Sequence, residues 1–154
     1  MTHRAPAFLP LTVDAAARLD AGPLVHQALA TDRAAAECWT ALLAGCGTAA
    51  RRDLSPQLRR LSEATSLHVG ARWWFAEGAG HRRRVASAQE NLEDAIADGD
   101  GQEFALAFVG YDNAMASALV CREQARSQVP DAHQDRAVVP PPRAGRHHRV
   151  DHQP

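Results

Sequence analysis

Lysine is missing from this chain of 154 residues: all 17 basic side chains are Arg, set against 18 acids for a formal net charge of −1. A near-neutral total excludes a chain that attracts polyanions as a whole. Ile96 is the single isoleucine, and Ala and Gly are abundant. Together these read as a high-GC coding bias, not a functional choice of guanidinium over ammonium. Cysteine is scarce and odd in number, with only Cys38, Cys46 and Cys121, which argues against a disulfide framework. On one helix, Cys38 and Cys46 would lie ~12 Å apart, too far to bridge or to share a zinc ion. There is no Gly-x-Ser-x-Gly elbow, no phosphate loop and no pair of Glu-x-x-His motifs for a di-iron bundle. Without a motif for a reaction, the expectation is a non-catalytic protein with no cofactor. The N-terminal apolar run is broken by Pro6, Pro10 and Asp14, a poor secretory signal, so a cytoplasmic location is expected by default.

What is present is centred on Asp100–Val129. Asp100 followed by Glu103 has capping-box spacing, and Pro130 marks the end. Between Phe104 and Cys121 the only ionisable side chains besides the terminal thiol are Tyr111 and Asp112. At ~100° per residue, Phe104, Phe108, Tyr111, Met115, Ala118 and Leu119 form one stripe, with Leu106, Val109 and Val120 opposite. A helix apolar on both sides is covered on both sides, by its own chain or by a second copy. Its ~27 Å approaches a bilayer core, but Asp112 and Asn113 at mid-span weigh against a membrane helix.

Read in order, residues 1–11 are expected to be loosely ordered. Thr12 caps a short helix over 13–21, stopped by Gly22-Pro23. A second helix runs from Leu24 to Cys46, with Thr31-Asp32 as a possible split point. Ser55-Pro56 reads as a cap with proline at the first helical position, opening a third helix that lasts to Gly78 and Gly80. A fourth covers 81–98, and Asp98-Gly99-Asp100-Gly101 turns the chain into the central helix. After Pro130 the chain is rich in Pro, Arg and His with little to bury, so a disordered tail is expected over 131–154. The fold class is therefore all-α: a bundle of four main helices preceded by a short one, as a single domain over 12–130 with that tail.

The candidate site is the polar flaw in the central helix. If the third and central helices run parallel from Ser55 and Asp100, His68 and Asp112 stand at one level, ~18–20 Å along their axes. The spacing then predicts an Asp112–Arg72–His68 cluster beside Tyr111, serving as a structural ion pair or as a ligand site. The metal question stays open: His133, His147, His148 and His152 in the tail offer loose metal capture without a scaffold. Trp39, Trp73 and Trp74, on the flanks of their helices, are the candidate interaction surface.

Charge is uneven along the chain. Residues 51–84 carry eight Arg against Asp53, Glu63 and Glu77, whereas 85–130 carry two Arg against eight acids. The expectation is that these segments pack together and neutralise one another, which argues against a nucleic-acid surface. Arg82, Arg83 and Arg84 fan around a helix and form no single row.

The turn Gly99-Asp100, then Phe104, then Tyr111-Asp112, resembles the helical hairpin of the effector domains of GntR-type regulators over roughly 30 of the 154 residues. In that family an aromatic-His pair follows the turn, and Asp112 stands where the metal-binding His would be. The resemblance implies a ligand- or metal-binding helical domain as the alternative function. The leading expectation is a non-catalytic regulatory or protein-interaction bundle whose partner is a second copy or another protein.

Overall fold

The computed structural model describes residues 5–128 and holds six α-helices and no strand among them. These are α1 (Pro10–Arg18), α2 (Gly22–Ala44), α3 (Thr48–Val69), α4 (Ala71–Phe75), α5 (Ala79–Asp98) and α6 (Gly101–Ser127). The expected tail over 131–154, with its four His, lies outside the described residues.

Two helical hairpins make the body. The connection between α2 and α3 is short and places Gly45 and Gly47 at φ of 68° and 79°, where a side chain would be strained. Gly99, at φ 66°, turns α5 into α6, and Asp100 caps α6 by accepting from the amides of Gln102 and Glu103 at 3.1 and 3.0 Å. The hairpins close on a shared interior. Leu24 and Cys38 of α2, Leu54, Leu58 and Leu61 of α3, and Leu92 of α5 meet Phe104, Phe108, Met115 and Leu119 of α6, all buried. Each such side chain contributes ~1.5–3 kcal/mol by leaving water. Polar links fix the register: the Gln27 amide of α2 donates to Gln57 Oε1 of α3 at 2.9 Å, and the Thr65 hydroxyl of α3 meets Met115 Sδ of α6 at 3.2 Å. Helix α1 lies against α2 and α6.

Several boundaries differ from the sequence reading, each for a local reason. Residues 7–9, expected to be loose, are held by hydrogen bonds to Asp32, and Leu9 is wholly buried. Gly22-Pro23 opens α2 instead of ending α1, because proline suits the first turn, where its missing N–H is no loss. Helix α2 runs unbroken through Thr31-Asp32. Helix α3 starts at Thr48, seven residues before Ser55, so Pro56 sits inside it. It also stops early, at Gly70 with φ 90°, and the chain turns into the separate short α4.

Candidate functional site

Helix α6 is the hub. Asp112 is 3% exposed and carries no cation. Its Oδ2 accepts the Leu11 amide at 3.0 Å, and its Oδ1 accepts the Thr12 amide at 2.8 Å and the Thr12 hydroxyl at 2.7 Å. Leu11 and Thr12 are the second and third residues of α1. An ordinary N-cap satisfies these same donors from the residue just before the helix; Leu9, in that position, has no side chain able to do so. Asp112 supplies the cap from 100 residues away. The positive end of the α1 dipole does there what a cation would do.

At its far end α6 does the converse. Arg122 Nε donates to the Val69 carbonyl at 2.8 Å, and Arg126 Nη2 donates to the His68 carbonyl at 3.0 Å. Both carbonyls close α3, whose C-terminus favours cations. One helix therefore gives an acid to a neighbour's N-terminus and guanidinium groups to another's C-terminus.

A second carboxylate continues the arrangement. Asp32 of α2 accepts the Phe8 and Leu9 amides at 2.8 and 3.0 Å, with Ala7 at 3.4 Å. Pro10 has no N–H to place. Every amide from Ala7 to Thr12 that exists is thus held by Asp32 or Asp112. Phe8 drops between them onto Trp39, Phe104 and Phe108, edge to face at centroid distances of 6.0, 5.8 and 5.3 Å.

The predicted Asp112–Arg72–His68 cluster is not formed. Arg72 lies beyond the Gly70 break, exposed on α4. His68 is level with Arg122 and Arg126, about seven residues further along the pair than the Ser55 start implied, because α3 begins at Thr48. Partial burial lowers the His68 pKa, with Arg126 adding to the effect and Glu123 opposing it. Tyr111, about 100° round α6 from Asp112, is fully buried toward α3, where Ser62 stands beside it without closing a hydrogen bond. Burial pushes its pKa well up.

The tryptophans do not form a surface either. Trp73 and Trp74 are 7% and 4% exposed, since the Gly70 turn folds α4 back over the body. Trp73 stacks on His81 at 6.1 Å and lies under Arg122 at 5.6 Å. Trp39 is half-buried, its Nε1 donating to the Gly101 carbonyl at 3.2 Å. Mutual neutralisation of the charged segments is also absent: the one ion pair among the described residues is the exposed Arg18–Asp14 at 3.2 Å. No group of three His, Cys, Asp or Glu among the described residues is placed to hold a metal.

Leu43, Leu67 and Phe75 are exposed singly on other helices, whereas α6 exposes a continuous stripe. Leu106, Val109, Gly110, Asn113, Ser117, Val120, Cys121 and Gln124 are exposed while almost everything between them is buried. Leu106, Val109 and Val120 retain 58, 60 and 47% of their surface, and Leu11 of α1 adds 47% beside them. By length and composition α6 could cross a membrane, with mean hydropathy 1.4 over its best window, 44% of it buried. Grooves of about 430 and 370 Å³ run along the two sides of the stripe. The first is bordered by Asp94, Asp98 and Glu103, the second by Leu11, Asp14 and Arg18. The sequence showed Leu106, Val109 and Val120 as a second apolar side; which of the two sides stays open depends on where α1 and α5 pack.

No protein-family model, curated protein or solved structure matches the chain.

Proposed function

We propose that this is a non-catalytic interaction protein that presents the open stripe of α6 and its two flanking grooves to a protein partner. In this reading α2, α3, α5 and α6 are the four main helices of one bundle, with α1 and α4 as additions, working in the cytoplasm. The observation that carries it is the contrast within α6. Its inner side chains are closed off by the rest of the chain, while Leu106, Val109 and Val120 stand about half exposed in one row. A further support is that Asp112, Arg122 and Arg126, the charged side chains that α6 turns toward its neighbours, are committed to capping α1 and α3.

The test is a paired substitution, Leu106→Glu with Val109→Glu. Both sites are solvent-facing, so the melting temperature is expected to stay within a few degrees. Chemical crosslinking in cell extract should trap the wild-type chain in a larger species that the paired variant fails to form. A wild-type chain that runs alone in extract, with the variant indistinguishable from it, would remove the reading.

A further inference from the structure

We infer that the corner built around α4 binds the phosphate backbone of single-stranded nucleic acid and stacks an unpaired base on Phe75. The corner uses side chains that the open stripe does not, so the inference is independent of the interaction reading above.

Contacts run unbroken across this corner. Arg126 and Arg122 of α6 reach the His68 and Val69 carbonyls, and Arg122 also lies over Trp73 of α4. Trp73 stacks on His81 of α5, whose Nδ1 accepts from Arg84 Nη2 at 3.0 Å. Arg82 of α5 lies over the Phe75 ring at 4.9 Å, and Arg72 stands exposed on α4 itself. Five guanidinium groups from three helices are thus gathered about α4. Arg83 is left out, turned ~100° round α5 from Arg82 and Arg84 alike.

Nothing on the chain neutralises them. Over residues 68–84 and 122–126 the acids are Glu77 and Glu123 alone, and none of the five Arg is in an ion pair among the described residues. The ground for expecting no nucleic-acid surface is mutual neutralisation, and here that is missing. His81, Arg82 and Arg84 also occupy the first two turns of α5, which has no capping side chain and no acid in its first turn. Cations are unfavourable at that end of a helix dipole, and a bound polyanion offsets the cost. The histidines register the same field. Burial lowers the pKa of His68 and His81, and Arg126 and Arg84 lower them further, with Glu123 opposing at His68.

The guanidinium groups are also held in place. Arg84, Arg122 and Arg126 each use one N–H on the protein and keep the rest of the fork for an outside acceptor. A planar fork suits phosphate oxygens, and one already fixed loses less entropy on binding. The platform beneath is closely packed: a Cβ at Gly78 would lie 2.4 Å from the Trp73 ring, so α4 is clamped against the start of α5. Phe75 is what favours a single strand over other polyanions. It is 64% exposed with Arg82 on one side of its ring, which leaves the other side for a base. Aromatic rings among basic side chains bind single strands in this way. A duplex keeps its bases stacked inside, and an acidic peptide or a lipid headgroup has no base to place there.

Fluorescence anisotropy of the full-length chain with a labelled oligouridylate of roughly 20 nucleotides reads the binding. Neutralising four phosphates predicts an affinity that falls about fifty-fold between roughly 50 and 200 mM salt. Arg72→Glu with Arg84→Glu, both exposed, should weaken binding at least tenfold with little change in melting temperature. Phe75→Ala should weaken it about fivefold or more and leave the salt dependence as it was. A duplex of the same length should bind more weakly and ignore Phe75→Ala. The Leu106→Glu, Val109→Glu pair should bind as the wild type does, which keeps the failure of this inference separate from that of the interaction reading. No binding at low salt overturns the proposal, as does binding that the charge reversal or Phe75→Ala leaves unchanged. Equal or tighter binding to the duplex or to polyglutamate overturns it too, and so does binding to phosphatidylserine vesicles by a chain that ignores the oligonucleotide.

Discussion

Asp112 is buried without a cation, and what keeps it there are three donors on α1. Asp112→Ala would leave the Leu11 and Thr12 amides without acceptors, one of them fully enclosed. Loss of a cap costs ~0.5–2 kcal/mol and an unmet buried donor ~1–3, so a destabilisation of about 2–4 kcal/mol is expected from urea unfolding. Asp112→Asn keeps one acceptor oxygen but turns its NH2 onto one of the α1 amides, donor against donor, so it should cost about as much as Asp112→Ala. A much smaller loss for Asn would mean that α1 can shift to use a single acceptor. Tyr111 presents the opposite case, a buried hydroxyl with no partner. Tyr111→Phe removes that group and should stabilise by ~1 kcal/mol. It should also change the alkaline limb. Because the folded pKa is raised, the buried phenol stays protonated while the unfolded one ionises above about pH 10. The unfolded state then binds fewer protons, so stability falls as pH rises past that point, and this loss should be absent in Tyr111→Phe. The histidines act on the acid side. His68 and His81 are lowered from 6.5, chiefly by burial, with Arg126 and Arg84 respectively adding to it. The unfolded chain binds more protons near that pH, so stability declines as pH falls through 6.5 and below.

Helix α3 illustrates which elements could be read from sequence and which could not. Both ends of α6 carried local signals, and the capping pair Asp100 and Glu103 placed its start to the residue. Ser55-Pro56 carried an equally good local signal for a start, and it is overridden. Leu54 and Leu58 lie on either side of Pro56, both wholly buried on the face of α3 that packs against α2, so continuous helix across the proline buries more than a fresh start would. Tertiary burial of two leucines outweighs one lost backbone hydrogen bond. Because α3 starts at Thr48 and not at Ser55, His68 stands beyond the level of Asp112. Gly70 was inside the expected helix for the same reason: its positive φ is set by how α4 folds back, which no neighbouring residue announces. The polar character of position 112 was legible, but its partners were not, since they are backbone amides of α1. Backbone donors leave no trace in residue identity. Pro56→Ala restores the missing N–H to a helix whose course is already fixed. It should raise stability by ~1–3 kcal/mol in thermal or urea unfolding. A loss instead would mean that α3 depends on the bend the proline introduces.

Across the whole molecule, the N-terminal segment is joined to the body by two acids from different helices, Asp32 on α2 and Asp112 on α6. Between their contacts lies Pro10, and beneath them Phe8 fills the space bounded by Trp39, Phe104 and Phe108. Five consecutive available amides, one aromatic plug and the first turn of α1 share a stretch too short to release in parts. If it opens as a unit, removing either acid already frees the segment, and removing the other then costs little. Asp32→Ala and Asp112→Ala should therefore be strongly sub-additive, with a coupling of about 1 kcal/mol or more, although the two carboxylates share no partner. Trp39, half-buried against Phe8, reports the opening directly. Its fluorescence should shift toward the solvent-exposed value in either single variant, before global unfolding, and shift little further in the double. Full additivity in stability, with Trp39 unchanged in the singles, would show instead that each carboxylate holds its own amides independently and that α1 stays docked when Phe8 lets go.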